Sequence, residues 1–305
     1  MERRRFIKNI TLGAAAISSL TSMQAKKGDK LTILHTNDFH SHIEPFPDNH
    51  SKYPGQGGVS RRMALINQIR ATESQVLLLD AGDIFQGTPY FNVHGGEVEM
   101  KLYTAMGYDA ATMGNHDFDA GMEGFKKQLP HAKFPFLCAN YDFSNTVLEG
   151  LTNPYQVFQK GSIKVGVFGI GVELDGLVAP TMYGETKYLN PIEIASDTAK
   201  TLRDEEKCDL VICLSHLGYF AKLNEWCDTK LANETENIDL IIGGHTHTFM
   251  DKPEVHKNRA GKTVLINQAG WAGLVLGRVD FTFDKRKDEM VWSTPQFDWT
   301  NHNVV

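Results

Sequence analysis

The chain is poor in the features that would place it in several common classes. It has four cysteines, Cys138, Cys208, Cys213 and Cys227, and no C-x-x-C pair. A thiolate zinc site or a redox dithiol is therefore not indicated, and no catalytic thiol is expected. Cys138 and Cys213 sit inside apolar runs and read as small buried hydrophobes; spacing alone does not fix a disulfide pairing. There is no internal repeat, low-complexity tract or long linker, so nothing argues for a second domain. The apolar stretch near the start, Ile10 to Met23, is 14 residues long. A bilayer span needs about 20.

Positive charge is also scarce. Arg3-Arg4-Arg5-Phe6-Ile7-Lys8, the short apolar middle and Ala25 together read as an export signal of twin-arginine type, with no cysteine nearby for lipid attachment. Setting residues 1–25 aside leaves 27 basic against 36 acidic residues, a net charge of −9. That balance argues against nucleic acid or an anionic membrane as partner. The expectation is an exported protein without a membrane anchor, placed in the periplasm or beyond. With 41% apolar residues, the remainder suffices for one large core, read as a single domain over residues 30–305.

What the chain does have is a set of Asp, Asn and His residues following apolar runs. Leu31–Leu34 leads to Asp38 and His40, Val76–Leu79 to Asp83, and Ala110–Met113 to Gly114-Asn115-His116-Asp117-Phe118-Asp119. Leu210–Leu214 leads to His216, and Leu240–Ile242 leads through Gly243-Gly244 to His245 and His247. Near-continuous Val/Ile/Leu runs are the mark of strands buried on both faces. In open α/β sheets, ligands bind beyond the carboxyl ends of strands, where these side chains would converge. Helices are expected from Val59, Met63, Ile66 and Ile69, with Arg61, Arg62 and Arg70 outside, and from Val98, Leu102, Ala105 and Met106, stopped by Gly107. A strand is expected at Phe136–Ala139, a hairpin at Tyr155–Phe158 and Ile163–Ile170, and a capped helix from Asn190. A helix carrying Leu223, Trp226, Cys227 and Leu231 follows, and the end of the chain reads as β. Gly114 and the Gly243-Gly244 pair read as turn formers.

Histidine and carboxylate donors without thiolate favour manganese, iron, cobalt or zinc. Asp38, His40, Asp83, Asn115, His216, His245 and His247 are seven donors, too many for one catalytic ion, which usually takes three. Two divalent transition-metal ions use the set naturally, generating hydroxide at neutral pH and holding the attacking and leaving oxygens at phosphorus. His42 and His35 are expected to be satisfied or exposed, His50 to lie at the surface, and Arg61 and Arg62 to form a solvated helix face.

Thr36-Asn37-Asp38-Phe39-His40, Gly82-Asp83, Gly114-Asn115-His116-Asp117, Ser215-His216 and Gly244-His245-Thr246-His247 resemble, in order, the motifs of the calcineurin-like metallophosphoesterases. The Gly114–Asp119 stretch and Gln268-Ala269-Gly270 with Leu276-Gly277-Arg278-Val279-Asp280 resemble the catalytic domain of the bacterial 5′-nucleotidase/UDP-sugar hydrolase family, over roughly residues 30 to 285. The resemblance implies an α/β fold, a four-layer α/β/β/α sandwich with two mixed sheets. It implies Asp38, His40, Asp83 and His247 on one metal, and Asp83, Asn115, His216 and His245 on the other. His116, oriented by Asp119, would stabilise the phosphoryl oxygens and assist the leaving alkoxide. It further implies a small phosphate-ester substrate, foremost a nucleotide. A UDP-sugar, a 2′,3′-cyclic nucleotide or a thiosulfo substrate are alternatives, and a non-catalytic metal- or partner-binding subunit is the non-enzyme one. Members of that family carry a further domain that supplies phosphate-binding arginines and base-stacking aromatics. The sequence offers no stretch that replaces it, so either a separate chain supplies it or the substrate is smaller or different, and AMP is expected to bind weakly without a partner.

Overall fold

The computed structural model describes residues 29–220, 226–284 and 289–294. The export signal read at residues 1–25, and Leu223 of one expected helix, lie outside these. Thirteen strands are described: β1 (Asp29–Thr36), β2 (Val76–Asp80), β3 (Ala110–Ala111), β4 (Tyr141–Asp142), β5 (Tyr155–Lys160), β6 (Ile163–Ile170), β7 (Lys187–Tyr188), β8 (Leu210–Ser215), β9 (Leu240–Gly243), β10 (Glu254–Lys257), β11 (Thr263–Asn267), β12 (Gly277–Asp284) and β13 (Glu289–Ser293). One sheet runs β13-β12-β1-β2-β3 and another β10-β11-β9-β8-β6-β5; β4 and β7 pair separately. Both large sheets are mixed, since β1 pairs parallel with β2 but antiparallel with β12, and β6 pairs parallel with β8 but antiparallel with β5.

The alternation of side chains along each strand builds the layers. Leu31, Ile33, Leu77 and Leu79 from the first sheet meet Val165, Val167, Leu210, Ile212, Leu240 and Ile242 from the second in one dry cluster. The intervening Leu34 and Leu78 face outward against Leu65, Ile66 and Ile69 of α1 (Val59–Thr72). On the far side, Val211, Cys213 and Ile241 pack on Ala195, Ala199 and Leu202 of α6 (Pro191–Asp204) and Leu231 of α7 (Asp228–Glu234). Helices, sheet, sheet and helices thus stack as four layers. The remaining helices are α2 (Pro89–His94), α3 (Glu97–Met106), α4 (Gly121–Gln128) and α5 (Pro180–Tyr183). Among the described residues, no helix is long and apolar enough to cross a membrane.

Several local expectations hold. Asn190 caps α6, accepting from the backbone N–H groups of Ile192 and Glu193 at 3.0 and 3.3 Å. Gly107, in the left-handed region, ends α3. All four cysteines are buried and unpaired. Others need correction. Phe136–Ala139 forms isolated bridges to Ala111 and Asn153 in place of a strand. On α3 the buried residues are Glu99, Met100, Tyr103 and Met106, because polar contacts draw Glu99 and Tyr103 inward: Glu99 accepts from Ser41, and Tyr103 donates to Asp80 at 3.0 Å. Arg62 is not on a solvated face. It is 5% exposed, its guanidinium lying 4.5 Å over the Phe39 ring, between the helix and the loop that carries Asp38 and His40.

Candidate metal centre and cavity

The carboxyl ends of β1, β2, β3, β8 and β9 open onto one place. There Asp38, His40, Asp83, His245 and His247 all take positive φ, between 49° and 69°. Non-glycine residues seldom adopt this conformation, and a cluster of them marks a backbone held for function. The loops are tied to one another. Asp117 accepts from the backbone N–H groups of Asp83 and Ile84 (3.0 Å each), Phe85 (3.2 Å) and Gly114 (2.8 Å). Asn37 donates to Asp38 Oδ2 at 2.7 Å and to Gly270 O at 2.6 Å. The His245 N–H lies 3.0 Å from each oxygen of Asp38.

The donors fall into two groups whose ligand atoms lie within 4.8 Å of one another: Asp38, His40 and His247, and Asp83, His216 and His245. In the first, His40 Nε2 and His247 Nε2 stand 3.0 Å apart, and His247 Nε2 is 3.3 Å from Asp38 Oδ1. In the second, His216 Nε2 is 3.1 Å from Asp83 Oδ2, and Asn115 Oδ1 is 2.9 Å from His245 Nδ1. The same Asp83 Oδ2 is 3.8 Å from His40 Nε2, so one carboxylate oxygen faces both groups.

Glycines make this crowding possible. A Cβ on Gly114 would stand 2.2 Å from Asp83 Oδ1, and one on Gly244 would stand 2.8 Å from His216 Nδ1. Neither takes a positive φ. Their role is close approach of side chains, not the sharp turning expected from the sequence.

Burial pushes His40 down, and burial with the neighbouring His216 pushes His245 down to about 4, so both rings are neutral and offer lone pairs. Burial also opposes a proton on His216, yet the Asp83 and Asp38 carboxylates outweigh it and push this ring up to about 10. Burial would raise the Asp83 carboxyl, but the His216, His40 and His116 rings outweigh it and hold it well below its ordinary value. Two buried carboxylates therefore demand positive charge between them. His216 donates from Nδ1 to Ala81 O at 2.7 Å, which leaves Nε2 buried, aimed at Asp83 and without an aligned hydrogen-bond partner. With Nδ1 tied to the backbone, an ion that displaced the Nε2 proton would meet a lone pair already aimed at Asp83, the way metal-ligating histidines are held. The all-N/O donor set fits a divalent transition metal.

Both groups line a cavity of about 430 Å³, together with Asn115, His116, His42, Gln86 and Trp271. His116 is not among the clustered donors. Its Nδ1 donates to Asp119 Oδ2 at 2.8 Å, and its own N–H donates to Asp83 Oδ1 at 2.8 Å. The bond to Asp119 raises its pKa against the opposing effect of burial, with Asp83 adding to the rise. His35 does not line the cavity; it is fully buried, with Nε2 3.0 Å from Asn267 Nδ2. His42, by contrast, borders the cavity and donates from Nδ1 to His40 O at 2.9 Å. Sequence reasoning passed over Gln86 and Trp271 as well, although Trp271 directly follows the Gln268-Ala269-Gly270 motif.

A model of the calcineurin-like phosphoesterase family matches residues 31–249. The chain belongs to that family. It is 34% identical over 288 residues to the trifunctional nucleotide phosphoesterase protein YfkN of Bacillus subtilis, a match covering 84% of this chain and 18% of that protein. It is 33% identical over 282 residues to a snake venom 5′-nucleotidase of Gloydius brevicauda, covering 84% of this chain and 46% of the relative. The crystal structure of a 5′-nucleotidase precursor from Thermus thermophilus superposes with a TM-score of 0.77 at 35% identity, over 87% of this chain and 54% of that one. The chain thus spans about half, or less, of the length of these three relatives.

Proposed function

We propose that the protein is an exported phosphoric ester hydrolase that releases phosphate from nucleotides, using two divalent transition-metal ions. The observation that carries this reading is the placement of Asp83 Oδ2 between the two donor groups, at the floor of a cavity that His116 also lines. In this reading Asp38, His40, Asp83 and His247 hold one ion, and Asp83, Asn115, His216 and His245 hold the other. Bound there, the pair supplies Lewis-acid charge that neutralises a phosphoryl group and makes water acidic enough to deprotonate near neutral pH.

The chain's own residues do the rest. Asn37 and the His245 N–H hold Asp38 in place, and Asp117 fixes the loops bearing Asp83 and Asn115. His116, whose charged form Asp119 favours, donates a hydrogen bond from Nε2 to the phosphoryl group and gives a proton to the departing alkoxide. The nucleotide preference is supported by 5′-nucleotidase relatives at about one-third identity. Export is supported by Arg3-Arg4-Arg5 and the apolar stretch after it.

The test is an assay of the manganese-, zinc- or cobalt-loaded protein on AMP, UDP-glucose, 2′,3′-cyclic AMP and bis(p-nitrophenyl) phosphate side by side. Faster hydrolysis of AMP, to adenosine and phosphate, than of the other three is expected. A preference for either diester substrate would replace the nucleotidase reading with a phosphodiesterase one. Silence on all four would remove it.

A further inference from the structure

A wall of aromatic side chains borders the cavity, and the phosphoryl chemistry uses none of it. Trp271 lines the cavity with its ring parallel to that of His247, centroids 5.5 Å apart and planes 3° from parallel. His42 meets Trp271 edge-on at 5.0 Å. Phe46 and Tyr53 extend the wall, 5.9 and 6.5 Å from Trp271, and Phe249 lies 6.3 Å from Tyr53.

Three separate segments build this wall, and each is fastened. The Pro/Gly-rich loop after His42 closes on itself through Phe46 N–H to Gln56 O at 2.8 Å and a backbone bridge between Pro45 and Gly57. Tyr53 N–H donates to His50 Nδ1 at 2.9 Å, so the histidine read as a bare surface residue braces the loop. Phe249 bridges to Ala269, and Gly270, at φ +71°, lets the ring approach closely: a Cβ there would stand 2.3 Å from it. Phe249 nevertheless remains 45% exposed, and Phe46, Tyr53 and Trp271 are partly exposed. These rings face water at the margin of a polar site instead of filling the core.

The cavity, at about 430 Å³, falls in the usual range for small-molecule sites. Its polar donors suit a phosphoryl group, and the rings that continue from His247 suit something flat and apolar attached to it. Stacking on such rings tolerates any base, because every base has a π face. Stacking is the one contact that all five rings can make, so planarity is the property the wall selects first.

We propose that this wall takes the planar ring of the substrate's alcohol part, the base of a nucleoside 5′-phosphate or an equivalent aryl group. The proposal rests on the phosphoester hydrolase reading above. It gives that reading a base-binding surface made of this chain's own residues.

The test uses the full metal-loaded protein and the variants Phe249→Leu and Tyr53→Leu, which keep apolar bulk but lose a flat ring. Their kcat/KM is compared on AMP and on ribose 5-phosphate, which has the same sugar phosphate and no base. Each variant is expected to lower the AMP-to-ribose 5-phosphate ratio about tenfold, through KM. An unchanged ratio in both would overturn the proposal. Adenosine, which has no phosphate to hydrolyse, is followed in parallel by saturation-transfer NMR. Base-proton signals are expected with the wild-type protein and lost with Phe249→Leu. No adenosine binding, or equal binding by all three proteins, would overturn the proposal even if the protein hydrolyses phosphate esters. If hydrolysis is absent, the adenosine arm still decides the wall.

Discussion

Gly114 and Asp83 are so close that a methyl group on the glycine would stand 2.2 Å from Asp83 Oδ1. The same methyl would stand 2.6 Å from His216 Nε2. Both neighbours are proposed ligands, and real Cβ atoms do not approach oxygen or nitrogen so closely. Gly114→Ala therefore has to displace Asp83, His216 or the turn itself. The expected outcome is a folded protein with one or fewer bound metal ions per chain and at least a hundredfold lower turnover. Elemental analysis alongside circular dichroism checks it; full metal content in the variant would show that the site yields more easily than the packing implies.

Asp83 faces both groups more closely than Asp38 does: its Oδ2 lies 3.1 Å from His216 and 3.8 Å from His40, whereas Asp38 Oδ1 reaches His216 only at 4.0 Å. Asp83→Asn keeps the shape and removes the charge. Two ions held close together repel, and a shared carboxylate is what offsets that repulsion. Asp83→Asn should thus lower metal content and turnover more than His247→Ala or Asn115→Ala, each of which touches one group. Equal losses across the three variants would argue against a bridging role.

Asp228 is fully buried and accepts from Ser215 Oγ at 2.5 Å, while its second oxygen has no partner. Burial pushes its carboxyl up to about 8. The folded state therefore holds a proton that the unfolded chain, titrating near 4, gives up. The resulting stabilisation is complete below about pH 4 and is lost as pH rises through about 8. Asp228→Asn cannot ionise. Thermal unfolding in chelator should find the variant and wild type close at pH 5, with the variant higher in Tm at pH 9. A variant that trails the wild type equally at both pH values would show that the carboxyl contributes by packing alone.

Most of the fold was legible because its strands are buried on both faces. Runs such as Val76–Leu79 and Leu210–Leu214 need no partner information to be read as strands, and the residues after them fix which end carries the chemistry. The Asn190 cap was legible because its hydrogen bonds are local. What stayed hidden depends on contacts between distant segments. Arg62 looks like one of a pair of surface arginines until Phe39 is laid across it. The inward face of α3 was misassigned because Glu99 and Tyr103 are held by Ser41 and Asp80, residues from other elements. Gly114 and Gly244 read as turns because a sequence displays flexibility, not the crowding of side chains that arrive from elsewhere. The aromatic wall escaped notice for the same reason: Tyr53, Phe249 and Trp271 are far apart in the chain.

His116 stands apart from the donor groups, with Nδ1 committed to Asp119 and its ring on the cavity wall. Hydrogen bonding to Asp119 favours its charged form. A charged imidazole beside a developing alkoxide stabilises it most when the alkoxide is a poor leaving group, and least when it is already stable. His116→Ala should therefore lower turnover on AMP by about 10²–10⁴-fold, the usual range for acid–base assistance. On p-nitrophenyl phosphate, whose leaving group needs little help, the loss should be markedly smaller. Asp119→Asn, which keeps the hydrogen bond but removes the charge behind it, should fall between wild type and His116→Ala on AMP. Metal content should remain unchanged in both variants, since His116 is outside the donor groups. The decisive quantity is the ratio of losses on the two substrates, measured at equal metal loading. Equal losses on AMP and p-nitrophenyl phosphate would mean that His116 holds the phosphoryl group in place and does not assist departure, and a loss of metal would move it into the binding site itself.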